Sequence, residues 1–163
     1  MRRIWAPWRM AYLIGQTHDT GCAFCKAMEA VNDDRGHLVL MRSEYSLIML
    51  NRYPYTCGHL MVVAGKHSAE LDDFSDAELL DLMCCVRRSR ALLRKESAPH
   101  GFNVGINLGR AAGSAIGDHL HIHVVPRWNG DTNFMSVSAD VRVIPEDLTE
   151  SYDRLRLALE KTI

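Results

Sequence analysis

The sequence predicts an α+β domain built on an antiparallel sheet of about five strands, with helices covering one face of the sheet. Three observations lead to this fold class. Histidines alternate with aliphatic residues from Asp118 to Pro126, a capping box precedes a helical spacing at Ser75, and strand-like segments fill residues 37–63. Because 163 residues suffice for one sizeable core but not for two ordinary domains, we expect residues 1–163 to form a single domain.

The first 20 residues hold two of the three tryptophans and are interrupted by Pro7 and Gly15, so no long regular element is expected there. We interpret residues 1–20 as a segment that packs across the domain or against a partner subunit. Pro7 and Arg9 break the apolar run near the start, which does not suit a signal peptide, and no run approaches the length of a membrane span. A cytoplasmic protein is therefore expected.

Residues 37–63 predict a small antiparallel meander. Its strands are His37 to Met41, Tyr45 to Leu50 and His59 to Val63, and turn signals separate them at Arg42 to Glu44 and at Pro54 to Gly58.

The main helix is predicted to begin at Ser75, which forms a capping box with Glu78. Apolar residues then recur at helical spacing until Pro99: Leu79, Leu82, Met83, Val86 and Leu93. Residues 102–107 alternate aliphatic or aromatic side chains with asparagine and glycine, which predicts the next strand. A glycine-rich loop, residues 109–117, leads from it to the histidine strand.

After the histidine strand, residues 127–131 predict a turn, and residues 134–143 have weak strand character. A closing amphipathic helix with Pro145 near its start follows from the spacing of Leu148, Tyr152, Leu155 and Leu159.

The histidines at positions 119, 121 and 123 are the strongest functional signal. With aliphatic residues at 120, 122 and 124, a β-strand places all three imidazoles on one face, whereas a helix would scatter them. Packing alone does not explain three aligned imidazoles, because burying their polar atoms is costly. They must share protons, bind a metal or meet an anion.

The five cysteines are an odd number in a chain without an export signal, so a disulfide framework is not expected. Cys22 and Cys25 form a CxxC pair, which we place in a loop before the sheet. A redox role would require a βαβ context, so metal binding is favoured over redox chemistry. Zinc would need two more ligands, and His59, His67 and the histidine row are available.

The formal net charge of −1, from 19 basic and 20 acidic residues, provides no field to hold a nucleic acid or an anionic membrane. We therefore expect a small anionic substrate that is bound locally, and no nucleic-acid or membrane partner.

The histidine row resembles the His-φ-His-φ-His-φ-φ signature of the histidine triad (HIT) family of nucleotide hydrolases and transferases. The resemblance includes Asn51 to His59 and the strand ending at Asn107, so it spans residues 20–130 and leaves 131–163 as a C-terminal extension with a helix. Trp5 to Arg9 and Pro126 to Phe134 further resemble a bacterial branch of the family associated with diadenosine tetraphosphate phosphorylase activity.

The resemblance implies a homodimer that continues the sheet across two subunits, and a nucleotidyl-histidine intermediate on the way to transfer or hydrolysis. It assigns His121 as the nucleophile, with His59 and His123 supporting its hydrogen bonding. It also implies a structural zinc, whose ligands would be Cys22, Cys25, His67 and His119.

For the substrate, the resemblance implies that Asn51 holds the ribose and that Asn107 lies near the phosphates. Two positions depart from the family: Ala64 stands in place of a proline, and Ile116 in place of a hydroxyl that faces the leaving group. Ser114 lies close to that position and is a candidate replacement. Apart from the resemblance, Arg127 is a candidate phosphate ligand because it follows the histidine strand, and Trp128 is a candidate stacking surface for a base.

The residues also support this chemistry directly, since an imidazole with an ordinary pKa is largely neutral at pH 7 and can attack an α-phosphate without a strong base. Phosphate or water can then accept the nucleotidyl group. Two alternatives stand beside this hypothesis. One is a mononuclear zinc hydrolase in which His119 and His121 both bind the metal. The other is a nucleotide-binding module without turnover.

Overall fold

The computed structural model describes residues 21–112, 118–131 and 146–161, and these confirm the predicted α+β class. The five antiparallel strands lie in the order β1-β2-β3-β5-β4. The strands are β1 Val39–Arg42, β2 Ser46–Leu50, β3 Leu60–Ala64, β4 Gly101–Ile106 and β5 His121–Arg127. The helices of these ranges are α1 Ala23–Glu29, α2 Asp76–Ser97 and α3 Leu148–Glu160. The tryptophan-rich start, Ser114, Ile116 and the weak strand predicted at 134–143 lie outside the described residues.

Both predicted helices are confirmed, and the main helix starts at the predicted capping box. The Ser75 side chain accepts a hydrogen bond from the Glu78 amide at 3.4 Å, and the Glu78 carboxylate accepts one from the Ser75 amide at 2.8 Å, so the capping box of α2 is complete. Helix α2 ends where Ala98 adopts the left-handed conformation before Pro99. At the start of α3, the Asp147 carboxylate accepts from the amides of Thr149 and Glu150.

The sheet is covered on both faces, not on one. The larger core lies between the sheet and helices α2 and α3, and its fully buried members include Leu40, Ile48, Leu60, Val62, Leu93, Val124 and Leu155. The opposite face of the same strands packs under α1 and contains Phe24, Ala27, Val39, Leu47, Met49, Met61 and Val63. Strand alternation produces the two sets. The histidines belong to the face that α1 covers.

The prediction of a loop around the CxxC pair was wrong. Helix α1 begins between the cysteines, with Cys22 at its N-cap and Cys25 in its first turn. Seven residues are too few for a helix that is stable by itself. Tertiary contacts stabilise it instead, because Phe24 and Ala27 are buried against the sheet.

Arg42, at the end of β1, anchors the other end of α1. Its guanidinium donates to the carbonyls of Ala27 at 2.8 Å, Met28 at 3.1 Å and Ala30 at 3.2 Å. It also pairs with Asp34 at 2.8 Å. The carbonyls of Ala27 and Met28 have no partner inside the helix, so the arginine both caps α1 and ties it to the sheet.

Strand β5 is shifted relative to the prediction, since its ladder begins at His121 and continues through Pro126 to Arg127. Pro126 is tolerated because the pairing with β3 ends at Val124. The Arg127 carbonyl accepts from the His100 amide, on the side of β4. By alternation, the proline nitrogen then faces the side where no ladder bond is needed.

Candidate active site and metal-binding cluster

His121 and His123 project from the centre of the sheet on the face that α1 covers. In β3, Val63 pairs with His121 and Met61 with His123, while Gly105 of β4 lies on the other side of His123. The glycine leaves the space beside His123 open, because it has no side chain. The strand prediction for these two histidines is therefore confirmed.

His59 and His123 form a directed hydrogen-bond pair. The Tyr55 amide donates to Nδ1 of His59 at 3.1 Å, so the proton of the neutral His59 ring is on Nε2. That Nε2 lies 3.0 Å from Nδ1 of His123 and donates to it. The proton of His123 must then be on its own Nε2, which makes this atom a hydrogen-bond donor.

Burial keeps this pair neutral. His59 is fully buried, and burial, with the neighbouring His123 second, lowers its pKa to about 3. Burial, followed by the nearby His121, lowers the pKa of His123 to about 4. A charged imidazole at either position would lack the hydration that it has in water, and the protein supplies no replacement for it.

His121 has the opposite tautomer to His123. Its Nδ1 lies 2.9 Å from the carbonyl of His119, which can only accept, so Nδ1 carries the proton. The lone pair is therefore on Nε2. Burial lowers the pKa of His121, and the bond to the carbonyl opposes that effect in part. At neutral pH the site contains an unprotonated, oriented imidazole nitrogen.

The four predicted metal ligands converge. Ligand atoms of Cys22, Cys25, His67 and His119 all lie within 4.8 Å of one another. Nδ1 of His119 is 3.3 Å from the Cys22 sulfur, 3.6 Å from the Cys25 sulfur and 3.2 Å from Nδ1 of His67. Tetrahedral zinc with ordinary bond lengths separates its ligand atoms by about 3.3 to 3.8 Å. The donor set fits zinc, and the three separations from Nδ1 of His119 are close to those of such a site.

The Ala64 carbonyl orients His119 so that its Nδ1 can bind a metal. It accepts from Nε2 of His119 at 2.7 Å, so the lone pair of the neutral ring is on Nδ1, the atom directed at the cluster. Burial raises the pKa of the Cys25 thiol, and the neighbouring Cys22 raises it further. Metal binding must displace these thiol protons, and acid should oppose it.

Two aromatic residues of the site were not predicted from the sequence. Phe24 is 2% exposed, and its ring centroid lies 4.9 Å from that of His121 and 5.4 Å from that of His119. Tyr55 is 50% exposed, and its ring lies 4.6 Å from His59 and 5.8 Å from His123. The position of Phe24 inside the CxxC pair was the one available signal.

Asn51 and Asn107 lie on the two sides of the histidines. Asn51 follows β2 and is buried, and its side-chain oxygen accepts from the Tyr53 amide at 2.9 Å, which forms an Asx turn. Its amide nitrogen lies 3.4 Å from Nδ1 of His59. Asn107 is half-buried, and continuing the β4–β5 register by one residue places it opposite His121. Their predicted contacts with substrate stay predictions.

Arg127 and Trp128 already have protein partners. The Arg127 guanidinium donates to both carboxylate oxygens of Asp131, at 2.6 and 2.7 Å, and to the Asn103 side chain at 2.7 Å. The Trp128 indole donates to the Ser97 carbonyl at 3.1 Å, at the end of α2. Both contacts stabilise the turn after β5, and the predicted roles in phosphate and base binding stay predictions.

Acid should destabilise the fold through His59 and His123. The unfolded chain takes up protons near the ordinary histidine pKa of 6.5, whereas the folded pair resists them until about pH 4 or below. The contribution of this pair to the free energy of unfolding is therefore fully present above pH 6.5 and is lost as the pH falls towards 4. It amounts to about 1.4 kcal/mol per unit of pKa shift.

Urea denaturation from about two pH units below to about one pH unit above the ordinary histidine pKa checks this expectation. His59→Asn should show a shallower dependence than wild type, and His37→Asn, which changes a half-exposed histidine, should keep the wild-type slope. Parallel curves for all three proteins would contradict the assignment.

The sequence matches a known protein family. The HIT domain family matches residues 34–130, which is more than half of the chain. The chain belongs to the HIT domain family. Among the described residues, no helix is long and apolar enough to cross a bilayer.

Curated relatives are similar to this chain over most of its length. AP-4-A phosphorylase from two strains of Mycobacterium tuberculosis is 39% identical over 158 residues, covering 93% of this chain and 80% of the relative. Adenosine 5'-monophosphoramidase hnt1 of Schizosaccharomyces pombe is 32% identical over 108 residues, covering 66% of this chain and 75% of the relative.

Solved structures agree on the fold. A zinc-bound histidine triad family protein from Mycobacterium smegmatis superimposes with a TM-score of 0.68 at 29% identity, covering 87% of this chain and 95% of that one. A histidine triad nucleotide-binding protein from Sulfolobus tokodaii gives a TM-score of 0.67 at 26% identity, covering 86% and 93%.

Proposed function

We propose that this protein cleaves dinucleoside polyphosphates such as diadenosine tetraphosphate at an α-phosphate through a covalent nucleotidyl-His121, with phosphate or water as acceptor. The observation that carries the proposal is the tautomer of His121. Because Nδ1 donates to the His119 carbonyl, the lone pair of Nε2 is available for attack. Membership of the HIT family and relatives named as enzymes support a catalytic role.

The proposed reaction has two balanced steps. Nε2 of His121 forms a bond to the α-phosphorus as the bond from phosphorus to the bridging oxygen breaks, and ATP leaves from diadenosine tetraphosphate. Phosphate then displaces the histidine and yields ADP, or water displaces it and yields AMP. The His119 carbonyl stabilises the ring that becomes positively charged in the first step.

His59 and His123 support the phosphoryl oxygens in this proposal. The relay from the Tyr55 amide through His59 leaves the Nε2 proton of His123 as a donor beside His121, whose ring centroid is 5.0 Å away. A neutral donor aimed at developing negative charge lowers the barrier to phosphoryl transfer.

The proposed contacts to substrate lie on other residues. Asn107, opposite His121, is the proposed contact to phosphate, and Asn51, beside His59, is the proposed contact to ribose. Further candidates are Ser114, Arg127 and Trp128.

Cys22, Cys25, His67 and His119 would hold a structural zinc. When bound, the metal supplies a cross-link between α1, the segment after β3 and the approach to β5. The geometry favours this role over the alternative zinc hydrolase. Four protein ligands close a zinc site, whereas a hydrolytic centre keeps one position open. His121 lies outside the four-residue group, and its Nδ1 is engaged by a carbonyl.

Product analysis tests the proposed function. Diadenosine tetraphosphate should yield ATP and ADP with inorganic phosphate present, or ATP and AMP without it, and the ratio identifies the acceptor. Binding with no released nucleotide would instead support a non-catalytic module. His121→Asn protein, treated identically, is the control for contaminating enzymes.

We also propose a homodimer joined through β4. This edge strand and the residues after it carry exposed apolar side chains, with Val104 at 46%, Ile106 at 37% and Leu108 at 48% exposure. The other edge is covered, because Tyr152 and Arg156 of α3 donate to carbonyls of β1. Open apolar edges favour association.

Sedimentation equilibrium at micromolar concentration should give twice the 18.4 kDa of one chain. Val104→Lys should shift the protein towards monomer, since a charge would enter the interface. Val31→Lys, at another exposed valine, should leave the mass unchanged. A monomeric wild type, or equal effects of the two substitutions, would rule out this interface.

A further inference from the structure

Phe24 touches both the metal-binding cluster and the proposed nucleophile. It lies between Cys22 and Cys25 in the first turn of α1, and its buried ring packs against His119 and His121. The ring planes meet at 76° with His119 and at 53° with His121, so the phenyl group fills the space beside both imidazoles. The metal ligands and the nucleophile therefore share one aromatic neighbour.

The orientation of His121 depends on few contacts. Rotating an imidazole by 180° about its last side-chain torsion exchanges nitrogen and carbon positions at little change in shape. Three neighbours surround the ring: the His119 carbonyl, which accepts from Nδ1, the Phe24 ring, and the His123 ring, whose centroid lies 5.0 Å away. Weakening the bond to the carbonyl or the contact with Phe24 should let the ring sample orientations that direct Nε2 elsewhere.

The position of Phe24 in turn depends on how α1 is held. Arg42 caps the C-terminal end of the helix. At the N-terminal end, Cys22 makes no side-chain capping bond, and its sulfur faces His119 across the cluster. A metal bound by both cysteines would thus fix the turn that carries Phe24.

We infer that Phe24 is a positioning residue that couples metal binding at Cys22, Cys25, His67 and His119 to the orientation of His121. The inference rests on the proposed function, since it gives that orientation a consequence for turnover. When the metal is lost, the first turn of α1 loosens and Phe24 moves away from the His121 imidazole. Nε2 of His121 then faces the substrate less often. Metal binding thereby affects the turnover rate without taking part in the chemical step.

Phe24→Leu in the metal-loaded protein tests the inference, with Phe102→Leu as the matched control. Phe102 loses the same atoms but packs against the core on the opposite face of the sheet. Long-range proton–nitrogen NMR of ¹⁵N-histidine protein reads the His121 tautomer directly. Wild type and Phe102→Leu should show a single Nδ1–H form, and Phe24→Leu a mixture of forms.

The kinetic expectation is a kcat lower by about tenfold to a hundredfold for Phe24→Leu, with KM within about threefold, because misorientation costs rate more than binding. Competition with a chromophoric chelator should show that the variant keeps its metal affinity. A wild-type tautomer and kcat in Phe24→Leu would overturn the inference. So would metal loss comparable to that of Cys22→Ala, since Phe24 would then merely support the cluster.

Metal removal completes the test. In wild type it should reproduce the mixed tautomers, and in Phe24→Leu it should add little, because both changes act on one contact. Additive effects would overturn the coupling. If the metal-free protein unfolds, the inference is tested by the tautomers and kcat of metal-loaded Phe24→Leu and Phe102→Leu alone. Normal turnover by His121→Asn would instead refute the proposed function, while the NMR result would still report on Phe24.

Discussion

His121→Asn should lower the turnover of diadenosine tetraphosphate by about three orders of magnitude or more, because it removes the attacking nitrogen itself. Substrate affinity should remain, since the proposed ribose and phosphate contacts lie on other residues. His123→Ala should keep partial activity, because it removes a donor to the phosphate rather than the nucleophile. His37→Asn, at a half-exposed histidine, is the matched control and should behave as wild type.

The covalent intermediate can be sought directly in the wild-type enzyme. Phosphoramidates hydrolyse in acid, so a denaturing alkaline quench during turnover should precede digestion and mass spectrometry. The peptide that contains His121 should carry one adenylyl group, and the same peptide from His121→Asn should not. Turnover without an adduct, together with a near-normal rate for His121→Asn, would overturn the mechanism.

Cys22→Ala should abolish stoichiometric zinc binding and lower the melting temperature by about 10 °C or more, because metal binding free energy adds to folding free energy. Elemental analysis of protein purified without chelator should find about one zinc per chain in wild type. Any loss of turnover in folded Cys22→Ala should stay well below that of His121→Asn, since the metal does not enter the chemistry.

Cys84→Ala is the matched control, since Cys84 is a half-buried thiol on α2 and not one of the four ligands. It should keep both metal content and melting temperature near wild type. Wild-type protein without zinc, despite careful preparation, would refute the structural metal. A turnover loss in Cys22→Ala equal to that in His121→Asn would favour the zinc hydrolase instead.

Local patterns determined much of the fold in advance. The capping box at Ser75 and Glu78 set the start of α2 correctly, because both bonds form within four residues. Strict alternation at 121 to 124 predicted which face His121 and His123 share. Strand ends were less exact, as with β5, because pairing partners distant in sequence decide where a ladder stops.

The site divides in the same way. The histidine row and the CxxC pair already indicate which chemistry is available. Which nitrogen of each histidine bears the proton depends on tertiary contacts, because the Tyr55 amide, the His119 carbonyl and the Ala64 carbonyl select the tautomers. Tertiary packing also makes the CxxC pair the start of a helix, whose Phe24 contacts His121. A seven-residue helix has too little intrinsic stability to be predicted from its own residues, so its existence depends on burial against the sheet and on Arg42.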